Sequence, residues 1–158
     1  MDVSIRNADM NDYELLLPLF RQVHNLHVRV RPDLYIDNPN PVEQEFFERQ
    51  LNDGKQHIFV ATIGKDIVGV IVTKEEEITE NSFVRARKIL VINSLSVAET
   101  HRKKGIGKKL TKYVFNFGKS LTVDSIELGV SEKNIFAIEF YKSMGMTTKS
   151  RRMELKFN

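Results

Sequence analysis

The sequence contains no cysteine, so neither a disulfide scaffold nor a thiol nucleophile is open to it. Its four histidines, His24, His27, His57 and His101, lack zinc-site spacing with carboxylates, and no metal is expected. No apolar run reaches the roughly eighteen residues needed to span a bilayer, which argues against a membrane partner. Met1-Asp2-Val3-Ser4-Ile5 has neither the basic stretch nor the apolar core of a signal peptide, so a cytoplasmic protein is expected. Glycine and proline stand at ordinary levels, which disfavours disordered and fibrous classes.

What is present suits a globular chain. With 158 residues, 41% of them apolar and 28% charged, one domain over residues 1–158 can bury its core without staples. Lys plus Arg exceed Asp plus Glu by three, too few to imply a nucleic-acid partner, and none is expected. The excess is unevenly spread: six basic residues and no acid lie between His101 and Lys112.

Val3-Ser4-Ile5 reads as a short strand, and Asp9 or Asn11 caps a helix striped by Leu15, Leu16, Leu19, Phe20, Val23 and Leu26. Arg29, Arg31 and Pro32 break that pattern, predicting a helix end and an ordered loop. Asn40-Pro41 with Glu43 reads as a capped start for a helix through Phe46, Phe47 and Leu51. His57–Ile63 and Ile67–Val72, joined by Gly64-Lys65-Asp66, form a hairpin. Ala86–Val97 is a central strand, with Ile89, Val91, Asn93, Leu95 and Val97 assigned to one face. A helix from Gly105 or Gly107 carries Ile106, Leu110, Val114, Phe117 and Leu121. A strand over Asp124–Val130, a helix over Asn134–Met144 and a final strand over Met146–Phe157 complete an α/β sandwich with a mixed sheet.

The segment Arg102-Lys103-Lys104-Gly105-Ile106-Gly107 carries the chemistry. Glycines at 105 and 107 let backbone approach a ligand, and the unpaired amides of a helix start suit phosphate oxygens. Arg102, Lys103, Lys104 and Lys108 add positive potential. The GxxxxGK[ST] loop of nucleotide hydrolases is absent, and Gly105-Ile106-Gly107-Lys108-Lys109-Leu110 lacks the third glycine of a dinucleotide fingerprint.

These residues resemble the acetyl-CoA signature of the GNAT superfamily of N-acetyltransferases, an [RQ]xxGx[GA] segment matched by Arg102, Gly105 and Gly107. The resemblance covers nearly the whole chain. It implies a GNAT-like acyl-CoA N-acyltransferase fold, α/β with a mixed, mostly antiparallel central sheet flanked by helices. It implies that amides from Arg102 through Lys108, Lys103, Lys104 and Ile106 included, hold the pyrophosphate of acetyl-CoA. Leu95 and Val97 would carry the pantetheine arm from a splayed strand end. Downstream, Asn134-x-x-Ala137-x-x-Phe140-Tyr141-x-x-x-Gly145 is similar to a second family element. There the resemblance makes Asn134 a contact of the coenzyme arm and Tyr141 the general acid for the departing thiolate. A phenol with an ordinary pKa near 10 has the right basicity for that step.

The implied activity is direct transfer of an acetyl group to a primary amine of a small molecule or peptide, through a tetrahedral intermediate. Many family members use a glutamate on this strand as base, and the sequence departs there. Asn93 stands where a carboxylate would be sought, and an amide cannot accept the proton. A water chain from Asn93 or a base on the acceptor side is expected instead. The acceptor side is expected from His24, His27, Arg31 and Tyr35, where ionisable residues gather as the helical pattern fails. A non-catalytic acyl-CoA-binding or sensory module is the competing reading, favoured by Asn93. Phe157 and the final strand offer an apolar surface for self-association, and the resemblance is compatible with a homodimer.

Overall fold

A computed structural model describes residues 2–158. The elements run β1 (Ser4–Asn7), α1 (Tyr13–Val30), α2 (Gln44–Asn52), β2 (Gln56–Ile63), β3 (Asp66–Ile78), β4 (Arg87–Val97), α3 (Ile106–Ser120), β5 (Ser125–Glu127) and α4 (Ile135–Ser143). The strands form one sheet in the order β1-β2-β3-β4-β5, antiparallel except for the β4–β5 pair. A parallel partner needs a crossover, and α3 supplies it.

Alternation in the strands produces two apolar layers. Ile58, Val60, Val70 and Val72 face α1 and α2, where Leu16, Leu19, Phe20 and Phe47 close over them. Phe59, Ala61, Ile71, Leu90 and Ile92 face α3 and its stripe of Ile106, Leu110 and Val114. The start of α3 comes very near β3. A Cβ at Gly69 would lie 2.9 Å from Leu110 and 3.0 Å from Ile106, so only glycine permits this approach.

Six sequence expectations change. Helix α1 continues through His24 and His27 to Val30, and Pro32 stops it one residue later by disfavouring helical backbone at Arg31. Asp9 caps a short turn, Met10–Asp12, that leads into α1. The second helix starts at Gln44, after Glu43 in extended backbone, and the Val42 carbonyl accepts the Tyr13 hydroxyl at 2.7 Å. The strand expected over Asp124–Val130 pairs only at Ser125–Glu127.

Strand β4 is not one alternating run. Val72 pairs with Ser94 and Thr73 with Ile92, which leaves Asn93 as the extra residue of a β-bulge. Leu90 and Ile92 before the bulge, and Leu95 and Val97 after it, therefore all pack on the α3 side. The single face assigned from Ile89 to Val97 is thus broken at Asn93.

The final strand is also corrected. Among the described residues, Met146–Phe157 joins no ladder. Its charges pair with the body instead: Lys149 with Glu127 at 2.9 Å, Glu154 with Arg31 at 2.8 Å and Lys156 with Asp33 at 3.2 Å. Met153, Leu155 and Phe157 are left exposed.

Candidate active site

The first cavity forms where β4 ends and α3 begins. Gly105 adopts a left-handed conformation (φ 79°), as does Lys103 (φ 62°), and these turns deliver the chain into α3. The first bond of the helix is Lys109 N–H to Gly105 C=O, and no side chain caps this end. The amides of Ile106, Gly107 and Lys108 consequently have no intrahelical acceptor and carry the positive end of the helix dipole. Thr111 fixes the turn by donating its hydroxyl to Gly107 C=O at 2.8 Å.

A cavity of about 260 Å³ opens against this turn, lined by Val97, His101, Arg102, Lys103, Gly105, Ile106, Gly107, Lys108 and Phe140. A Cβ on Gly107 would point toward Val97 and Phe140, 3.6 Å from each, and so narrow the cleft between them. Lys103, Lys104 and Lys108 make no ion pair among the described residues, whereas Arg102 lies 4.0 Å from Glu99. The residues therefore suit a polyanion: free amides, uncompensated ammonium groups and a backbone without intervening side chains. Lys104 stands outside the lining, and the Ile106 side chain is buried in the core, leaving its backbone to the cavity.

Beside this turn the sheet splits. Strands β4 and β5 pair only from Ile89 to Val91, and among the described residues no strand continues along β4. Ala98 N–H donates to Val68 C=O, which fixes the alternation of the ladder. The polar backbone groups of Leu95 and Val97 then point away from β3, toward the split. Gln22 of α1 enters there, donating from Nε2 to Val97 C=O at 2.9 Å and accepting from Glu99 N–H at 3.3 Å.

A second cavity, about 240 Å³, lies on the α1 and α2 side of the bulge. Phe20, Val23, His24 and His27 form its α1 wall, at helical spacing i, i+3, i+4 and i+7. Phe46 and Gln50 of α2, Pro41 and Val42 of the preceding loop, and Val72, Asn93 and Ser94 of the sheet complete it. The lining holds two imidazoles and no Asp, Glu, Lys or Arg. Burial, and then the neighbouring charge of His24 when present, lower the His27 pKa below the ordinary imidazole value.

The structure thus gathers Asn93, His24 and His27 around one cavity. Tyr35 stands just behind them, stacked on His27 at 5.0 Å and edge-on to His24 at 6.3 Å. Arg31 is elsewhere engaged, doubly hydrogen-bonded to Asp33 and paired with Glu154. Asn134 caps α4, its side-chain oxygen accepting from Ala137 N–H at 3.2 Å. Tyr141 lines neither cavity but packs edge-on against Phe140 of the first, at 5.2 Å. Burial pushes its phenol up to about 12. Phe140, Gln22, Phe46, Gln50 and Ser94 were not assigned to the site from the sequence. The spacing i, i+3, i+4 and i+7 within the α1 stripe would have revealed that Phe20, Val23, His24 and His27 share a face.

Comparison with known proteins decides the family. The profile of the acetyltransferase (GNAT) family matches residues 20–146. The chain belongs to this family. A tetramutant of the BH1408 protein of Bacillus halodurans is 31% identical and superposes with a TM-score of 0.94, covering 98% of this chain and 99% of its own. Glucosamine-6-phosphate N-acetyltransferase from Arabidopsis thaliana shares the fold at 21% identity, with a TM-score of 0.70 and complete coverage of both chains (100% each). So does the aminoglycoside N-acetyltransferase AAC(6')-Iy in complex with CoA, at 14% identity and a TM-score of 0.76, covering 98% of this chain and 94% of its own. This GNAT fold contains the five-stranded mixed sheet flanked by helices, and acetyl transfer is the chemistry of the family.

Proposed function

We propose that this GNAT protein transfers an acetyl group from acetyl-CoA directly to the primary amine of a small molecule or peptide. The observation that carries the reading is the juxtaposition on β4 of an uncapped, glycine-bearing helix start at Val97 and a separate cavity at Asn93. Four strand residues span about 13 Å, so one strand links a phosphate cradle to an acceptor pocket. Acetyl-CoA supplies the activated acetyl thioester; the chain supplies everything else.

In this reading the amides of Ile106, Gly107 and Lys108 hold the pyrophosphate, with Arg102, Lys103, Lys104 and Lys108 adding positive potential. The backbone of Leu95 and the N–H of Val97, whose carbonyl is held by Gln22, orient the arm, and Asn134 has its amide nitrogen left for a contact there. Amides beside Val97 face the oxygen on which negative charge develops, where preorganised donors are most effective. Tyr141, neutral at physiological pH, retains the proton that the leaving thiolate requires.

The second cavity supports an acceptor amine on an apolar or aromatic body. Two of the structural neighbours are named for aminoglycosides and glucosamine-6-phosphate, both strongly polar acceptors. A polycation would find no carboxylate among the lining residues of this pocket. The test is thiol release from acetyl-CoA across an amine panel, with Tyr141→Phe as control. Tight coenzyme binding without acceptor-dependent release would favour the non-catalytic acyl-CoA-binding module that Asn93 suggests.

A further inference from the structure

The acetyltransferase reading leaves one proton without a destination, since an amine reaches the site chiefly as ammonium and only its neutral form attacks. We propose that His24 is the general base, accepting that proton at Nδ1. The inference rests on the acetyltransferase reading and deepens it.

Elimination comes first. Asn93, Gln50 and Ser94 are the polar lining residues besides the histidines, and none is basic. No carboxylate lines the cavity, so the choice falls between two imidazoles on adjacent turns of α1.

Hydrogen bonding separates them. His24 Nε2 lies 2.5 Å from the Ile36 carbonyl. A carbonyl oxygen only accepts, so Nε2 carries the hydrogen and Nδ1 keeps its lone pair. The same bond strengthens when the ring becomes cationic, because its donor is then charged. The carbonyl therefore sets the tautomer and orients the ring, as a backbone oxygen does for other working histidines. Among the described residues His27 has no hydrogen-bond partner; it is stacked on Tyr35 and is held toward its neutral form by burial.

The step balances. The ammonium N–H bond breaks and its electron pair stays on nitrogen. The proton bonds to Nδ1, and the imidazolium later releases it to solvent. Over the whole reaction, ammonium and thioester give amide, thiol and one proton; the second nitrogen proton accounts for the thiol hydrogen. The titratable groups that interact with His24 are His27 on α1 and Tyr35; Arg21 precedes it by three residues on α1, and Asp37 adjoins Ile36 in the chain. Arg21 is turned to the Pro39 carbonyl, and α2 and β4 contribute no charged group to the lining.

His24→Gln keeps a donor for the Ile36 carbonyl and removes the base. With acetyl-CoA saturating and the best acceptor from a panel of aromatic and aliphatic monoamines, kcat/KM should fall about 100-fold at neutral pH. The acidic limb of its pH profile should vanish, the KM for acetyl-CoA should hold, and added imidazole should restore part of the rate. His27→Gln should retain the limb. Independently of any acceptor, long-range proton–nitrogen NMR of the wild-type protein should report His24 in the Nε2–H tautomer. A retained rate and limb in His24→Gln, or the Nδ1–H tautomer, overturns the assignment. Absence of amine-dependent thiol release by the wild type overturns the acetyltransferase reading and this inference together, and is distinguishable because no rate exists to compare.

Discussion

The two cavities that meet along β4 are built from different materials. The one at Val97 is walled largely by backbone: a left-handed Gly105, the free amides of the first α3 turn, and the unpaired edge of β4. The one at Asn93 is walled by side chains from two helices and a bulge. A backbone wall follows from fold and glycine placement, so it can be shared by chains with different substrates. A side-chain wall changes with each substitution. In the proposed reading the Val97 end therefore carries the family's common chemistry, and the Asn93 end carries what is particular to this chain.

The sharpest break is expected at the α4 boundary of the coenzyme end. Tyr141→Phe should lower kcat by about 100- to 1000-fold with little change in coenzyme affinity, if the phenol donates its proton only as the thiolate leaves. Since burial holds that phenol at about 12, the wild-type rate should show no decline from phenol ionisation until the pH approaches that value. A loss of activity centred near pH 10, abolished in Tyr141→Phe, would contradict the burial seen here.

Next in size is Gly107→Val, which should weaken acetyl-CoA binding about 10- to 100-fold by filling the space between Val97 and Phe140. Calorimetric titration with CoA checks it, and an unchanged affinity would remove the pyrophosphate from this turn. Gly105→Ala tests conformation instead of space, because nothing lies within 4 Å of the added carbon. Its left-handed backbone should cost about 1–2 kcal/mol, seen as a lower urea midpoint.

The smallest effect belongs to the acceptor end. Folded His27 holds its proton less tightly than the unfolded chain does, so protons favour unfolding. Its contribution is full above about pH 6.5, the ordinary imidazole value, and is lost as the pH falls below it. His27→Phe should flatten that part of the stability-versus-pH curve in thermal melts. An unchanged slope would mean that His27 is as solvated in the folded protein as in the unfolded chain.

These two ends also differed in how far they could be read beforehand. Arg102 through Lys108 was legible because a glycine pair between a strand and a striped helix is a local pattern, and the local turn makes the cavity. Asn93 was noticed for its missing carboxylate, yet its bulge was invisible, since residues 89–97 alternate acceptably on either face until β3 dictates the register. The α1 wall was half seen: His24 and His27 were singled out for the acceptor side, while Phe20 and Val23 were read only as part of the helix stripe. Arg31 had looked like a substrate contact, and distant Glu154 and nearby Asp33 engage it instead.

By itself the sequence determined the elements through α4, the helix start with its free amides, and the absence of thiol and strand carboxylate. Each depends on residues within a turn or two of one another, where backbone sterics and hydrophobic period decide. Tertiary structure decided the bulge at Asn93, the parting of β4 from β5, the meeting of α1, α2 and β4 around an acid-free cavity, and the Ile36 carbonyl on His24. Those depend on contacts between segments remote in the chain, whose register no local pattern specifies.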